Sequence, residues 1–574
     1  MGLLKDDGFV YKLVNEVDLG PNSKEVYVHA DVKAPRLTGR FAKMFVWFLE
    51  LTIIGDVLLY FLKKNNRIQK LVSFAVLEDS PLYVPLHPYQ DAEQEAKCLD
   101  SSLSAAQQVQ EAKDCLETIP KHLTSDNTFR RWTIMDYSSA YGSGAITPYM
   151  VAQRLISAIM QSSDPGMDMS FFINYEAHDI LKQATESTLR YEKGEPISVL
   201  DGVPIAIKDE IDCLPYPTTG GTKWMHKVRA CKEDAACVKR LRSCGAILVG
   251  KTNMHELGAG TSGINPHYGT SRNPYDPKRI CGGSSSGSAA VVCAGLCPVA
   301  LGVDGGGSVR MPAALCGVVG LKPSFGRIPH SGVIPLNWTV GMVGILAGTV
   351  EDSLIVYAAM SGEAETSQPT VWFNDCSDDI RTCCLSALDN LHKCYGWQPE
   401  KFEYRKNWTP LFQNPGSANS HHMDKHNKSE SGSDVRAAFS VYGAFNSGDY
   451  LNAQRIRNRQ MKIHEKIFSM ADVIVTPTVG VTAYEIKDDV QETGELDYIN
   501  GAALIRYSIA GNFLGLPAVT VPVGYDKLGL PIGIQFIGKP WSEAMLIHIA
   551  YAMEALCKAE YRKPQVYYDL LAGN

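Results

Sequence analysis

The sequence predicts an α/β protein built on one large, mixed, twisted β-sheet surrounded by helices, preceded by an N-terminal helical segment. Three observations carry this. From about residue 195, short runs rich in β-branched residues alternate with glycine-rich turns, as in SVLDGVPIAIK, GAILVGK and CAGLCPVALGVDGGG. Helical patterns separate these runs, which is the texture of a sheet wrapped by helices. Finally, 574 residues with 45% hydrophobic and 20% charged side chains supply a large buried core. At about 150 residues per domain the length allows several units, although one large sheet absorbs it. The chain divides into residues 1–65, an irregular cap over 66–145 and a main domain over 146–574.

The first segment contains FAKMFVWFLELTIIGDVLLYFL at 41–62, followed by Lys63-Lys64. It has the length of a membrane span, but Glu50 and Asp56 interrupt it, and each charge at a bilayer centre costs about 2.5–3.5 kcal/mol. At about 100° per residue, Lys43, Glu50, Asp56 and Lys63 share one half of a helical wheel. That leaves Phe45, Trp47, Phe48, Leu51, Ile54, Leu58 and Phe61 for an apolar surface. The surface is either the protein's own core or a twin subunit, or else a membrane on which the helix lies.

Residues 66–145 mix short apolar runs with Pro- and Gln/Glu-rich stretches, hence the reading as an irregular cap. A helix opens at Thr147-Pro148, with Thr at the N-cap and Pro at the first helical position. Further strands are expected at 472–476, 517–522 and 531–537, a helix over 542–557, and a polar Ser/His/Asn-rich loop over 414–434. There is no internal repeat.

Composition excludes some functions. Lys+Arg 55 against Asp+Glu 62 gives a net charge of -7 with no basic block, so no nucleic-acid partner is expected. Fifteen cysteines without framework spacing read as reduced core thiols, consistent with a face towards the cytosol. The N-terminus lacks a long apolar signal-peptide core, and the three Asn-X-Ser/Thr triplets (Asn337, Asn407, Asn427) are a common chance pattern.

Three motifs compete for the chemistry. Gly245 to Thr252 fits the phosphate-loop pattern GxxxxGK[ST], but its centre, Ala246-Ile247-Leu248-Val249, is itself strand-like and cannot also be a cradle. Gly283-Ser284-Ser285-Ser286-Gly287 fits G-x-S-x-G, yet a proline-broken polar loop precedes it instead of the buried strand a nucleophile elbow needs. Ser285 with His330 or a later His as base remains the rival hydrolase. The third is a constellation of Lys208 at the end of an apolar run, Ser284 in GGSSSGS, and Ser308 closing Asp304-Gly305-Gly306-Gly307-Ser308. A lysine at a buried strand end loses solvation, so its neutral amine can act as a base. Glycines before Ser308 let backbone N–H groups converge on one oxygen.

At these residues the chain resembles the amidase signature family. The block GGSSSGSAAVV…GVDGGGSVRMPAALCGVVGLKPSFGR (282–327), with GVPIAIKDEID, GAILVGKTNMHELG and LGLPAVTVPVGYDKLGLPIGIQFIG, follows that family's pattern over about 195–355 and 440–550. The stretches VKAPRLTGRFAKMFVWFLE and SVLDGVPIAIKDEIDCLPYPTTGGT are most similar to its plant branch, which acts on fatty acid amides. The resemblance implies the amidase signature fold and a Ser–cisSer–Lys triad: Lys208 as base, Ser284 as bridging proton carrier, Ser308 as acyl-forming nucleophile. Backbone groups of Gly305, Gly306, Gly307 and Ser308 would hold the oxyanion, Ser285, Asp304 and Arg310 would support the loops, and Gly258 would line the substrate channel. It further implies no metal or other cofactor, N-acylethanolamines and related fatty acid amides as substrates, and a homodimer on endoplasmic reticulum or plasma membrane.

The chain departs from the family after Ser361-Gly362, where EAETSQPTVWF replaces a longer insert, and around 398–435, which is shortened. Two alternatives therefore stay open: an amidase of the family acting on another small amide, and a weakened paralogue that binds acyl amides.

Overall fold

A ten-stranded mixed sheet forms the centre of the computed structural model, which describes residues 34, 36–66, 68, 75, 77–87, 103–117, 129–334, 337–361, 370–371, 377–395 and 430–572. In chain order its strands begin with β1 (Leu37–Thr38), β2 (Phe172–Asn174), β3 (Pro204–Lys208), β4 (Ile247–Thr252), β5 (Arg272–Asn273), β6 (Asp276–Ile280) and β7 (Val299–Asp304). They continue with β8 (Val319–Lys322), β9 (Met342–Ala347), β10 (Thr370–Val371), β11 (Val473–Pro477), β12 (Glu495–Leu496), β13 (Ala518–Tyr525) and β14 (Pro531–Gly538). The large sheet runs β10-β11-β14-β13-β8-β9-β7-β3-β4-β2, while β1 with β12 and β5 with β6 form small ribbons. Only β10/β11, β7/β3 and β3/β4 pair in parallel. The sheet is mixed, as expected.

Its central strands are buried at every position, PIAIK, ILVGKT, VALGVD and MVGILA among them. Continuous apolar runs without polar alternation are what a sheet covered on both faces requires. Helices supply the cover. Pro148–Ser162 starts where the sequence signalled, with the Thr147 hydroxyl accepting from the N–H of Met150. Glu543–Cys557 packs on β13 and β14.

The stretch 66–145 holds more regular structure than its composition suggests. Ala105–Glu117 is a helix that packs on helix Val350–Met360, and Ile134–Gly142 starts from a reciprocal Thr133/Asp136 capping box. The buried apolar side chains of the first, Ala105, Val109 and Ala112, form a stripe too narrow and too small to stand out among its glutamines, one of which, Gln108, is buried with them.

The N-terminal segment is not one helix. α1 (Gly39–Glu50) and α2 (Thr52–Asn65) meet at an extended Leu51 and are bent by 106°. No single helix among the described residues is long and apolar enough to cross a membrane. The bend has local causes. Thr52-Ile53-Ile54 is a β-branched run that continues a helix poorly, and Gly55 lets α2 approach the Leu49 carbonyl where a Cβ could not fit. α1 turns Ala42, Val46 and Leu49 onto Ala437 and Leu496, and Arg436 Nε donates to Glu50 Oε1 at 2.9 Å. The single-wheel reading of 41–62 is thereby corrected: Phe45 and Leu58 face this cluster, while Trp47, Ile54 and Phe61 join Phe41, Met44, Ile53, Val57 and Tyr60 on the outside.

Parts of the expected polar loop 414–434 and of the shortened stretches near 362–372 and 398–435 lie outside the described residues, as do the triplets at Asn407 and Asn427. The described cysteines form no disulfide, and most are buried.

One glycine tests how tightly the core helices seat. A Cβ on Gly287, in helix Ser286–Cys293, would strike the Phe171 carbonyl and come within 2.6 Å of Asn253 N. Gly287→Ala should lower stability by about 1–3 kcal/mol, the usual cost of overpacking, measured as a fall in Tm.

Candidate active site

Two parallel neighbours set the stage. β3 and β7 pair through Ile205–Val299, Ala206–Ala300 and Ile207–Leu301, so their carboxyl ends open at the same edge of the sheet. In open α/β sheets that edge is where ligands bind. Lys208 ends β3, the Gly305–Ser308 loop follows β7, and Ser284 lies in the loop that feeds helix Ser286–Cys293 between them.

Lys208 is wholly buried. Its Nζ donates to Ser284 Oγ at 2.7 Å and to the Val303 carbonyl at 3.2 Å, and lies 2.6 Å from Glu210 Oε1. Burial pushes the Lys208 amine below its ordinary value, against the pull of Glu210 and, more weakly, Asp304. Burial likewise pushes the Glu210 carboxyl up, against the pull of Lys208. Two other lysines are as deeply buried but touch no reactive serine: Lys251 donates to Ile211 O and Thr218 Oγ1, and Lys322 to Pro323 O and Met342 Sδ. Of these three lysines, only Lys208 contacts a serine hydroxyl.

The Gly283–Ser284 peptide is cis. The 255–263 segment holds it on both sides: His255 N donates to Ser284 O at 3.1 Å, and Gly283 N to Thr261 O at 2.6 Å. Gly258, with φ at +70°, passes over the pair; a Cβ there would sit 3.2 Å from Glu210 Oε2 and 3.6 Å from Ser284 Oγ. Its place is above the Lys208–Ser284 contact; the cavity described below is lined by the next residues, Ala259 and Gly260.

Ser308 sits at the end of the glycine loop, 8% exposed, and its carbonyl accepts from Ser285 N at 3.2 Å. Its Oγ makes no hydrogen bond among the described residues. The structure thus brings Lys208 and Ser284 into contact and leaves Ser308 one loop away with a free hydroxyl.

Asp304 shapes that loop. Its carboxylate accepts from the N–H groups of Gly307 (2.6 Å), Val309 (3.1 Å) and Arg310 (3.3 Å), and from Arg310 Nε and Nη2, both at 3.0 Å. Burial alone would raise the carboxyl, but the Arg310 guanidinium outweighs it and holds Asp304 well below the usual carboxylate range. One expectation changes here. The Gly307 N–H is spent on Asp304 and is not free for a substrate oxygen.

The rival motifs resolve into structure. The Walker-like run is strand β4, and its Lys251 is buried. Ser285 is wholly buried, with Val303 O at 3.5 Å as the nearest acceptor, and makes no hydrogen bond to His330, whose imidazole burial pushes down to about 4.

Beside the loop lies a cavity of about 180 Å³. Gly260, Thr261 and Ile505 line its inner end, and Leu59 and Leu62 of α2 its outer wall. A Cβ on Gly306 would come within 3.0 Å of Ile505 Cδ1, so the glycine loop packs against a side chain that lines this space.

Sequence reasoning missed three residues. Glu210 was visible only as an acid near Lys208. Asn512 bridges Arg310 Nη2 (2.6 Å) to the carbonyls of Asp304 (2.7 Å) and Val340 (3.0 Å), and Gln535 accepts from Arg310 Nη1 at 3.0 Å. Gln535 had a signal: a lone amide in an otherwise apolar buried strand, PIGIQFIG, needs partners.

Comparison with known proteins gives concordant findings. The amidase family model matches residues 158–414 and 380–547. The chain is 42% identical to a fatty acid amide hydrolase from Arabidopsis thaliana over 98% of its own length and 99% of the relative's. It is 40% identical to one from Oryza sativa subsp. indica, over 97% and 98%. Among solved structures it is similar to an amidase at 26% identity, with a TM-score of 0.64 over 74% of this chain and 99% of the other. A 6-aminohexanoate cyclic dimer hydrolase shares the fold at TM-score 0.68 and 22% identity, over 76% and 99%.

The Asp304–Arg310 pair is fully buried, so removing one partner strands the other's charge. Asp304→Ala should cost about 3–5 kcal/mol, seen as a large drop in Tm or as loss of soluble protein.

Proposed function

The chain belongs to the amidase family and hydrolyses amides, and we propose that its substrates are fatty acid amides, N-acylethanolamines among them, cleaved through a Ser308–Ser284–Lys208 proton relay and an acyl-enzyme. The observation that carries the relay is the 2.7 Å contact between Lys208 Nζ and Ser284 Oγ in a buried site.

The steps balance. Ser308 Oγ attacks the amide carbon and gives its proton to Ser284 Oγ, which passes its own to the neutral Lys208 amine. The N–H groups of Gly305, Gly306 and Ser308 hold the tetrahedral oxyanion; one such donor is worth on the order of 100–1000-fold in rate. The relay then reverses and protonates the leaving nitrogen, which amides require because an amide anion is a poor leaving group. Water, activated by the same relay, releases the fatty acid from Ser308.

Two features favour a long acyl substrate. The relatives at 40–43% identity, matched over nearly their whole length, are fatty acid amide hydrolases. The cavity beside the glycine loop has an apolar outer wall from α2, on the segment whose other side is exposed. That outer side carries Ile53 at 79% exposure, with Trp47 and Tyr60 among aliphatic neighbours, and a lipid surface is the occupant whose chemistry fits it. The enzyme would then draw its substrate from the bilayer.

Two experiments test this. A fluorophosphonate probe should label the protein, and Ser308→Ala should abolish labelling; unlabelled but well-folded wild-type protein would favour a binding role. Lys208→Ala should lose about 100–10,000-fold in activity at neutral pH, partly recovered at high pH as hydroxide substitutes for the amine.

Replacing Trp47, Ile53 and Phe61 with Ser should strongly reduce sedimentation with liposomes while hydrolysis of a soluble short-chain amide is retained. Unchanged sedimentation together with a halved mass in solution would assign the face to a second copy of the chain.

A further inference from the structure

We propose that Glu210 is the positioning residue of the base: it aims the lone pair of the Lys208 amine at Ser284 and sets the pH at which that amine is free to take a proton. The inference rests on reading Lys208 as the end of the relay.

The geometry carries it. Lys208 Nζ has three polar neighbours, Ser284 Oγ, Val303 O and Glu210 Oε1, at 2.7, 3.2 and 2.6 Å. As an ammonium it has three hydrogens, one for each neighbour, and no lone pair with which to accept. As a neutral amine it has two hydrogens and one lone pair. A carbonyl oxygen and a carboxylate oxygen can only accept, whereas the Ser284 hydroxyl can also donate. The two hydrogens therefore go to Val303 and Glu210, and the lone pair is left facing Ser284. Without an acceptor at position 210, the amine could turn a hydrogen toward Ser284 instead and would no longer be poised as a base.

The fold fixes this partner firmly. Lys208 and Glu210 point to one side of a tight turn closed by Ile211 N donating to Lys208 O at 3.0 Å, and the Glu210 carbonyl accepts from Ile334 N at 2.8 Å. Its side chain is 4% exposed. The glycine at 258 leaves room for Oε2.

Charge gives the second half of the role. A carboxylate against an amine favours the ammonium, so Glu210 opposes the loss of solvation that would otherwise leave Lys208 neutral over most of the pH range. Asp304 acts on Lys208 in the same direction, and Asp209 and Lys251 act in opposite senses on Glu210. Glu210 is the only one of these in contact with the amine.

Glu210→Gln keeps an acceptor oxygen and removes the charge, while Glu210→Ala removes both. Removing the charge lowers the pH at which Lys208 gives up its proton. The acid limb of kcat/KM for a soluble short-chain amide should therefore move down by about one pH unit or more in Glu210→Gln, with the high-pH plateau nearly kept. Glu210→Ala should lose on the order of 100-fold on the plateau through misorientation. Tm confirms folding, and if the Ala variant does not fold, the Gln variant decides alone. An unmoved acid limb in Glu210→Gln, beside an inactive Lys208→Ala, overturns the proposal and leaves the relay standing. An active Lys208→Ala would overturn the relay itself.

Discussion

A lysine amine held out of water is the constraint on which the rest of the site depends. Desolvating an ammonium costs several kcal/mol even after relaxation, and the fold offsets that cost with Glu210, the Val303 carbonyl and the Ser284 hydroxyl. The Val303 carbonyl is in reach because β3 and β7 run parallel side by side: the same register that ends β3 at Lys208 brings the end of β7 beside it. A shift of one residue would flip Lys208 to the other face of the sheet. Burial of every residue in both strands makes such a slip prohibitive.

The site uses two buried ion pairs in opposite ways. Arg310 cannot lose its proton at any ordinary pH, so its bidentate hold on Asp304 is a permanent brace, tied on through Asn512 and Gln535 to the far half of the sheet. Lysine can titrate. The Lys208–Glu210 pair is therefore the one able to change charge during a reaction, and it is the one in contact with a serine. Bracing also shapes the loop: the same carboxylate that anchors Arg310 takes the Gly307 N–H, so that group is not available to a substrate oxygen.

Much of this was legible in the residues. The strands around Lys208, Val249 and Val303 announced themselves by unbroken apolar runs, and the Walker-like match dissolved for the reason its own letters supplied, since a strand cannot also be a cradle. Ser284 and Ser308 followed from glycine spacing and family likeness. What stayed hidden needed three dimensions. Asn512 and Gln535 find Arg310 from about 200 residues away, and no local pattern encodes such a meeting. Glu210 was in plain view, yet neighbours along a turn can point in or out, and sequence does not say which. The helix Ala105–Glu117 was missed because a stripe of Ala and Val among glutamines is a weak periodic signal.

The bend at Leu51 decides how the N-terminal segment can serve the site. A straight helix over 41–62 would have one apolar stripe, to be spent either on the protein or on its surroundings. Breaking the helix gives the segment two inward faces and one outward face. α1 spends Ala42, Val46 and Leu49 on the body of the protein, and α2 turns Leu59 and Leu62 into the wall of the cavity that borders the glycine loop. The remaining apolar side chains of both helices stay exposed together. A single segment thus lines a cavity on one side and leaves an exposed apolar face on the other. The proposed capture of fatty acid amides from a lipid surface rests on that adjacency.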